Sequence, residues 1–149
     1  MSWVQYALCS AFFAGLTALL AKIGVTAVPS NLATLIRTVV VAGFATAIVL
    51  ATGEFRGVRT LGARDWLALA ASGLATGASW MFYFAALKAG PISGVAPIDK
   101  LSFVVAMTLG FLVLREPVRP LTLLGAVLIM IGVALTLPTV QEWLGRPAG

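Results

Sequence analysis

Five apolar stretches, each about long enough to cross a bilayer, fill almost the whole of this 149-residue chain. They run roughly from Trp3 to Val28, Leu32 to Thr52, Trp66 to Leu87, Ile92 to Leu114 and Leu121 to Leu137. At about 1.5 Å per residue the first four have length to spare for a hydrocarbon core of about 30 Å. The fifth is the shortest and draws on flanking residues. Lipid cannot satisfy unpaired backbone groups, so runs of this kind are helices. Hydrophobic residues make up 60% of the chain and charged residues 10%. A soluble domain this small has too much surface to hide so much apolar matter. The expected fold class is therefore an all-α membrane protein, with five transmembrane helices in a single domain over residues 1–149.

Composition narrows the chemistry. Cys9 is the single cysteine and there is no histidine, so disulfides and the usual zinc, haem and copper sites are poorly supported. No cofactor and no metal are expected. The net charge of +5 is scattered over short loops and helix ends. That distribution suits anionic lipid headgroups and not nucleic acid. Met1 and Ser2 carry no basic side chain, and the first stretch is too long for a signal h-region, so a retained span is expected. The connections leave no room for a soluble catalytic unit, and an enzyme is not expected.

Pro29-Ser30-Asn31 separates the first two spans, with Asn31 placed to cap the second helix. The longest linker, Gly53 to Arg64, carries Glu54, Arg56, Arg59 and Arg64. Asp65 then starts the third span as an N-cap. Ala89-Gly90-Pro91 is a tight turn, and Arg115 to Pro120 joins the last two spans. Linkers on the N-terminal side hold Arg56, Arg59, Arg64, Arg115 and Arg119, against Lys88 and Arg146 on the other side. The positive-inside rule then favours a cytoplasmic N-terminus in a bacterial-type inner membrane. Counting Lys22, Arg37 and Lys100, which lie inside spans near their outer ends, evens the score at five against five.

Those in-span charges are the candidate site. Lys22 lies late in the first span, Arg37 early in the second, and Asp99 and Lys100 several residues into the fourth. A charge at the bilayer centre costs at least about 2.5–3.5 kcal/mol on insertion scales. One reading is a shared polar site that binds an anionic or zwitterionic ligand. The other is that each base snorkels to the headgroups. Pro97 favours a site, because proline inside a span removes a helix hydrogen bond and frees the Ser93 carbonyl. The alternative there is a helix that starts late, near Ile98, with Pro97 in its first turn. In the third span Trp80, Phe82, Tyr83 and Phe84 cover more than one face. Trp80 and Tyr83 are candidates for an aromatic cavity wall, against the alternative of an interfacial belt. Gly73 and Gly77, and Gly125 and Gly132, suit close helix packing.

Several of these features occur together in a known order. Lys22 is followed by Pro29 and Arg37. The third span ends Phe82-Tyr83-Phe84-Ala85-Ala86-Leu87-Lys88-Ala89-Gly90-Pro91. The fourth ends Leu112-Val113-Leu114-Arg115-Glu116-Pro117, and the fifth contains Leu124-Gly125-Ala126-Val127-Leu128-Ile129-Met130-Ile131-Gly132-Val133. In this the chain resembles one repeat of the EamA-like family of the drug/metabolite transporter superfamily. Arg115 stands where that pattern usually has glycine. The resemblance implies one repeat of the drug/metabolite transporter fold, where many members carry two inverted five-helix repeats. The stretch Ala96 to Lys100 is similar to the single-repeat members. No substrate carries over.

The leading functional expectation is a secondary transporter of a small polar metabolite, anionic or zwitterionic, acting as a homodimer. A non-transporting membrane subunit or scaffold is the alternative from another class. Drug export is the alternative within transport, disfavoured because Asp99, the one in-span acid, lies beside Lys100. A transport pathway normally lies between two repeats, so one repeat needs a second copy. The even charge count leaves an inverted homodimer open beside a parallel one.

Overall fold

The computed structural model describes residues 2–145. Arg146, counted in the charge tally above, lies outside the described residues. The chain is all-α. Helices run α1 (Trp3–Val25), α2 (Ser30–Thr52), α3 (Ala63–Ala89), α4 (Ile92–Asp99), α5 (Ser102–Leu114), α6 (Pro120–Leu135) and α7 (Pro138–Leu144), with a 3-10 helix over Glu54–Thr60. Spans one to three correspond to α1, α2 and α3, and span four to α4 with α5. The fifth, α6, has 16 residues and covers about 24 Å, so it falls short of the hydrocarbon core by itself. Chain contacts divide these elements into two units, with the boundary between Ala89 and Gly90.

In the first unit α3 packs against both α1 and α2. Its buried residues are few and mostly small: Ala18, Ala21, Val25 and Thr34, together with Phe84 and Leu87. Small side chains let backbones approach where lipid supplies no hydrophobic drive between helices. Most other large side chains point outward. Leu19, Phe44, Leu67, Leu74 and Phe82 are all exposed, as lipid-facing residues are.

Local signals set the helix ends. Ser2 and Gln5 form a capping box on α1, in which Gln5 N–H donates to Ser2 Oγ and Ser2 N–H to Gln5 Oε1. The first helix stops at Val25, three residues short of the sequence expectation. Apolar character continues to Val28, but Pro29 disfavours helical backbone in the residue before it. Asn31 does not cap α2. The capping position is Pro29, without a side-chain bond, and Asn31 falls inside the first turn. Asp65 is likewise inside α3, where its carboxylate accepts from Gly62 N–H at 3.0 Å. It makes the return bond of a capping box, which Gly62, having no side chain, cannot complete, and it is not the N-cap.

The second unit holds the interrupted fourth span. α4 begins at Ile92, so a late start near Ile98 is not what forms, and Pro97 is internal to the helix. The winding changes just after it. Lys100 and Leu101 N–H groups donate to the Pro97 and Ile98 carbonyls at 3.0 and 2.9 Å, and Phe103 and Val104 donate to Lys100 and Leu101. These are i to i−3 bonds, so the span tightens into a 3-10 turn before α5 resumes. Gly110 is buried on α5, and Ala126 and Val133 are buried on α6.

Arg115 ends α5 in the left-handed region, at φ 56 and ψ 33. Glu116 N–H donates to the Gly110 carbonyl at 3.2 Å and closes the turn. Glycine is the usual residue at such a cap, and an L side chain there costs roughly 1–2 kcal/mol. Arg115→Gly is therefore expected to stabilise the fold by about 0.5–1 kcal/mol after glycine's own entropic cost. Denaturant unfolding in detergent measures it, and an unchanged or lower midpoint would remove the strain argument.

Candidate functional site

Two polar devices lie at the same end of the first unit, where α1 finishes, α2 begins and α3 finishes. The first is a pair of lysine ties. Lys22, in the last turn of α1, donates to the Leu87 carbonyl at 2.6 Å. Lys88, in the last turn of α3, donates to the Val28 carbonyl at 3.0 Å. Both acceptors lie where helical bonding runs out. Leu87 is among the last four residues of α3, whose carbonyls lack an intrahelical partner, and Val28 is in the turn after α1. Each lysine thus satisfies the other helix's end. Because α1 stops early, Lys22 sits about 5 Å from its terminus, while Arg37 sits about 10 Å into α2.

The Lys22 bond is part-buried and the Lys88 bond is exposed. Leaving a buried carbonyl without a donor costs about 1–3 kcal/mol, whereas an exposed one turns to water. Lys22→Met is therefore expected to lower unfolding stability by about 1–3 kcal/mol, and Lys88→Met by less than about 1 kcal/mol. Unfolding of the two variants side by side in detergent checks the order, and a larger loss for Lys88→Met would reverse this account.

The second device is a stacked guanidinium. The Arg37 Cζ lies 4.3 Å from the Trp80 ring centre and 5.7 Å from that of Phe84. Tyr83 meets Phe84 edge to face, with ring centres 6.3 Å apart. Arg37 and Trp80 are partly exposed, and Phe84 is buried. Stacking on an aromatic face attracts the cation through the ring quadrupole, by about 0.5–2 kcal/mol, and holds the guanidinium plane. Among the described residues the ion pairing is between Lys100 and Asp99, and no carboxylate pairs with Arg37.

Arg37 and Phe84 border a pocket of about 420 Å³. One face of α1 supplies Thr17, Leu20, Ala21 and Gly24, spaced three to four residues apart as one helical stripe requires. Val28, Ala33 and Ile36 complete it. The size falls within the range of about 300–1,000 Å³ usual for small-molecule sites. Of the residues expected from sequence, the structure brings Arg37, Trp80 and Tyr83 into one cluster. Lys22 is held at the Leu87 carbonyl, outside the pocket lining. Phe84 is the ring that sequence reasoning left out of the site, although its spacing of four from Trp80 puts both on one helix face.

Lys100 Nζ lies 3.6 Å from Asp99 Oδ2 in the second unit. The two side chains keep 60% and 37% of their surface. They sit where the 3-10 winding follows Pro97, about 10 Å into the fourth span. At that depth charges facing lipid are costly. An open ion pair here needs water or protein against it.

Residues 1–137 match the EamA-like transporter family. The chain belongs to that family. A protein of Sinorhizobium sp. named "Uncharacterized transporter in cobO 3'region" is 50% identical over 134 residues, which cover 90% of this chain and 95% of the relative. No solved structure matches. The EamA match extends from α1 to the end of α6, so it takes in both the Arg37 cluster and the Asp99–Lys100 turn.

Proposed function

We propose that this EamA-family protein is a secondary transporter of a small anionic or zwitterionic metabolite, working as a homodimer in a bacterial-type cytoplasmic membrane. The observation that carries the reading is Arg37. A guanidinium stacked on Trp80, two turns inside a spanning helix and without a carboxylate partner among the described residues, borders a pocket of ligand size. A scaffold has no use for a cation so placed, whereas an anion in transit neutralises it. The 3-10 turn after Pro97 supports a mobile element, since interrupted helices in transporters expose backbone groups to a cavity. The name of the Sinorhizobium relative agrees with transport and specifies no solute.

The test is flux through the purified chain alone. Proteoliposomes are loaded with a panel of labelled carboxylates, amino acids, sugars and organic cations, and release is compared with protein-free vesicles. Protein-dependent release of anions or zwitterions is expected, and release of none of the panel would leave the scaffold reading in its place. Orientation and assembly have their own readout. Cysteines at positions 57 and 90, in a chain with Cys9 replaced, report sidedness. With a cytoplasmic N-terminus position 90 labels from outside and position 57 does not. Cross-links between positions 2 and 140 of different chains mark an inverted homodimer, and links between two copies of position 2 mark a parallel one.

A further inference from the structure

The pocket beside Arg37 distinguishes between the two ligand classes that charge alone leaves open. It has one cation at its wall and no acidic residue in its lining. A zwitterion entering it would find a partner for its carboxylate and none for its ammonium. A dianion would carry one charge too many for a single guanidinium. The remaining lining is apolar except for the Thr17 hydroxyl, with Leu20, Val28, Ile36 and Phe84 as its largest surfaces. Sugars and other polyols need many hydrogen-bonding groups around them, because a buried hydroxyl without a partner is costly. An apolar body gains from the same walls.

We infer that this pocket binds an amphipathic organic monocarboxylate, with its carboxylate on the Arg37 guanidinium and its apolar body against the α1 stripe, Ile36 and Phe84. The inference rests on the transport reading and narrows its substrate class. The Arg37 Cζ lies over the Trp80 ring at 4.3 Å, and no carboxylate among the described residues occupies its N–H groups, whose fork geometry matches the two oxygens of a carboxylate. Thr17, on α1, is the other residue of the lining with a polar side chain.

Four probes sharing one ring test it on the full chain in detergent. They are phenylacetate, its neutral amide phenylacetamide, zwitterionic phenylalanine and dianionic phenylmalonate. A ligand that binds the folded state raises the unfolding temperature by mass action. Phenylacetate is expected to bind about 10- to 100-fold tighter than phenylacetamide, the range of one charge-assisted hydrogen-bonded pair. Phenylalanine and phenylmalonate are expected to bind more weakly than phenylacetate. Arg37→Gln should erase the preference for phenylacetate over its amide. In case that variant unfolds, Trp80 fluorescence is read in a folded chain whose Trp3, Trp66 and Trp143 are replaced by Phe. It should change with phenylacetate and not with phenylacetamide at the same concentration. Equal binding of acid and amide, or tighter binding of phenylalanine or phenylmalonate, overturns the assignment. So does loss of phenylacetate binding when nanodiscs of phosphatidylcholine are enriched in phosphatidylglycerol, which would give the pocket to a lipid headgroup. Binding in the expected order without any solute flux in proteoliposomes would defeat the transport reading and leave the site. Flux without that order would defeat the site alone.

Discussion

Arg37→Gln is expected to cut transport about 100-fold, the effect of removing one charge-assisted bidentate partner from a bound carboxylate. The variant should still insert and fold. Glutamine is uncharged, so the α2 segment loses an in-span cation that insertion penalises. Arg37→Lys keeps the charge but not the guanidinium that lies over Trp80 or the fork toward a carboxylate. It should retain more activity than the glutamine variant and less than the parent chain. Trp80→Leu removes the platform and leaves the cation, and should fall between these two. Initial rates in proteoliposomes, normalised to protein recovered in the vesicles, give the series. Wild-type rates for Arg37→Gln would move the anion site away from α2.

Asp99 and Lys100 should give the second large effect, of a different kind. Each neutralises the other at 3.6 Å inside a spanning segment. Asp99→Asn leaves an uncompensated ammonium, and Lys100→Met leaves an uncompensated carboxylate. Truncating one partner of a desolvated pair costs up to about 3–5 kcal/mol, although this pair is open and the loss here should be smaller. Transport is expected to fall at least about 10-fold in each single variant, with a lower unfolding midpoint. The double variant separates two roles. If the pair merely balances charge, neutralising both restores stability and transport together. If it takes part in the transport cycle, stability returns and transport does not, which is the outcome expected here. A double-mutant cycle on both quantities reads the difference.

The sequence was informative where free energy depends on composition. Lipid forces every long apolar run into a helix, so α1, α2, α3 and the fourth span were legible from hydropathy. Helix ends were less so. Val28 is as apolar as Val25, and only the constraint before Pro29 distinguishes them. The capping box of Ser2 and Gln5 was readable as a Ser-x-x-Gln start, whereas Asn31 and Asp65 had suitable chemistry one or more residues too far inside their helices. The site was half legible. Arg37 stood out because charge in a span is expensive, and Trp80 because it belongs to an aromatic cluster. That the two stack is a property of how α2 meets α3, and no spacing along the chain encodes it. The partner of Lys22 was hidden for another reason. It is a backbone carbonyl, and any residue at position 87 would supply one.

In the proposed orientation Arg115 would link folding to biogenesis. Its left-handed backbone is a standing loss of stability that glycine would relieve. The same residue is one of the five cations that, in the proposed orientation, hold the N-terminal side in the cytoplasm. Arg115→Gly would leave four cations on that side against five on the other once Lys22, Arg37 and Lys100 are counted. The better-folded variant would then be the worse-addressed one, with a larger share of chains threaded upside down. On that view the strained turn works as a postal mark. It exchanges part of the energy of the finished fold for information used once, at the translocon, while the chain is still being threaded into the bilayer.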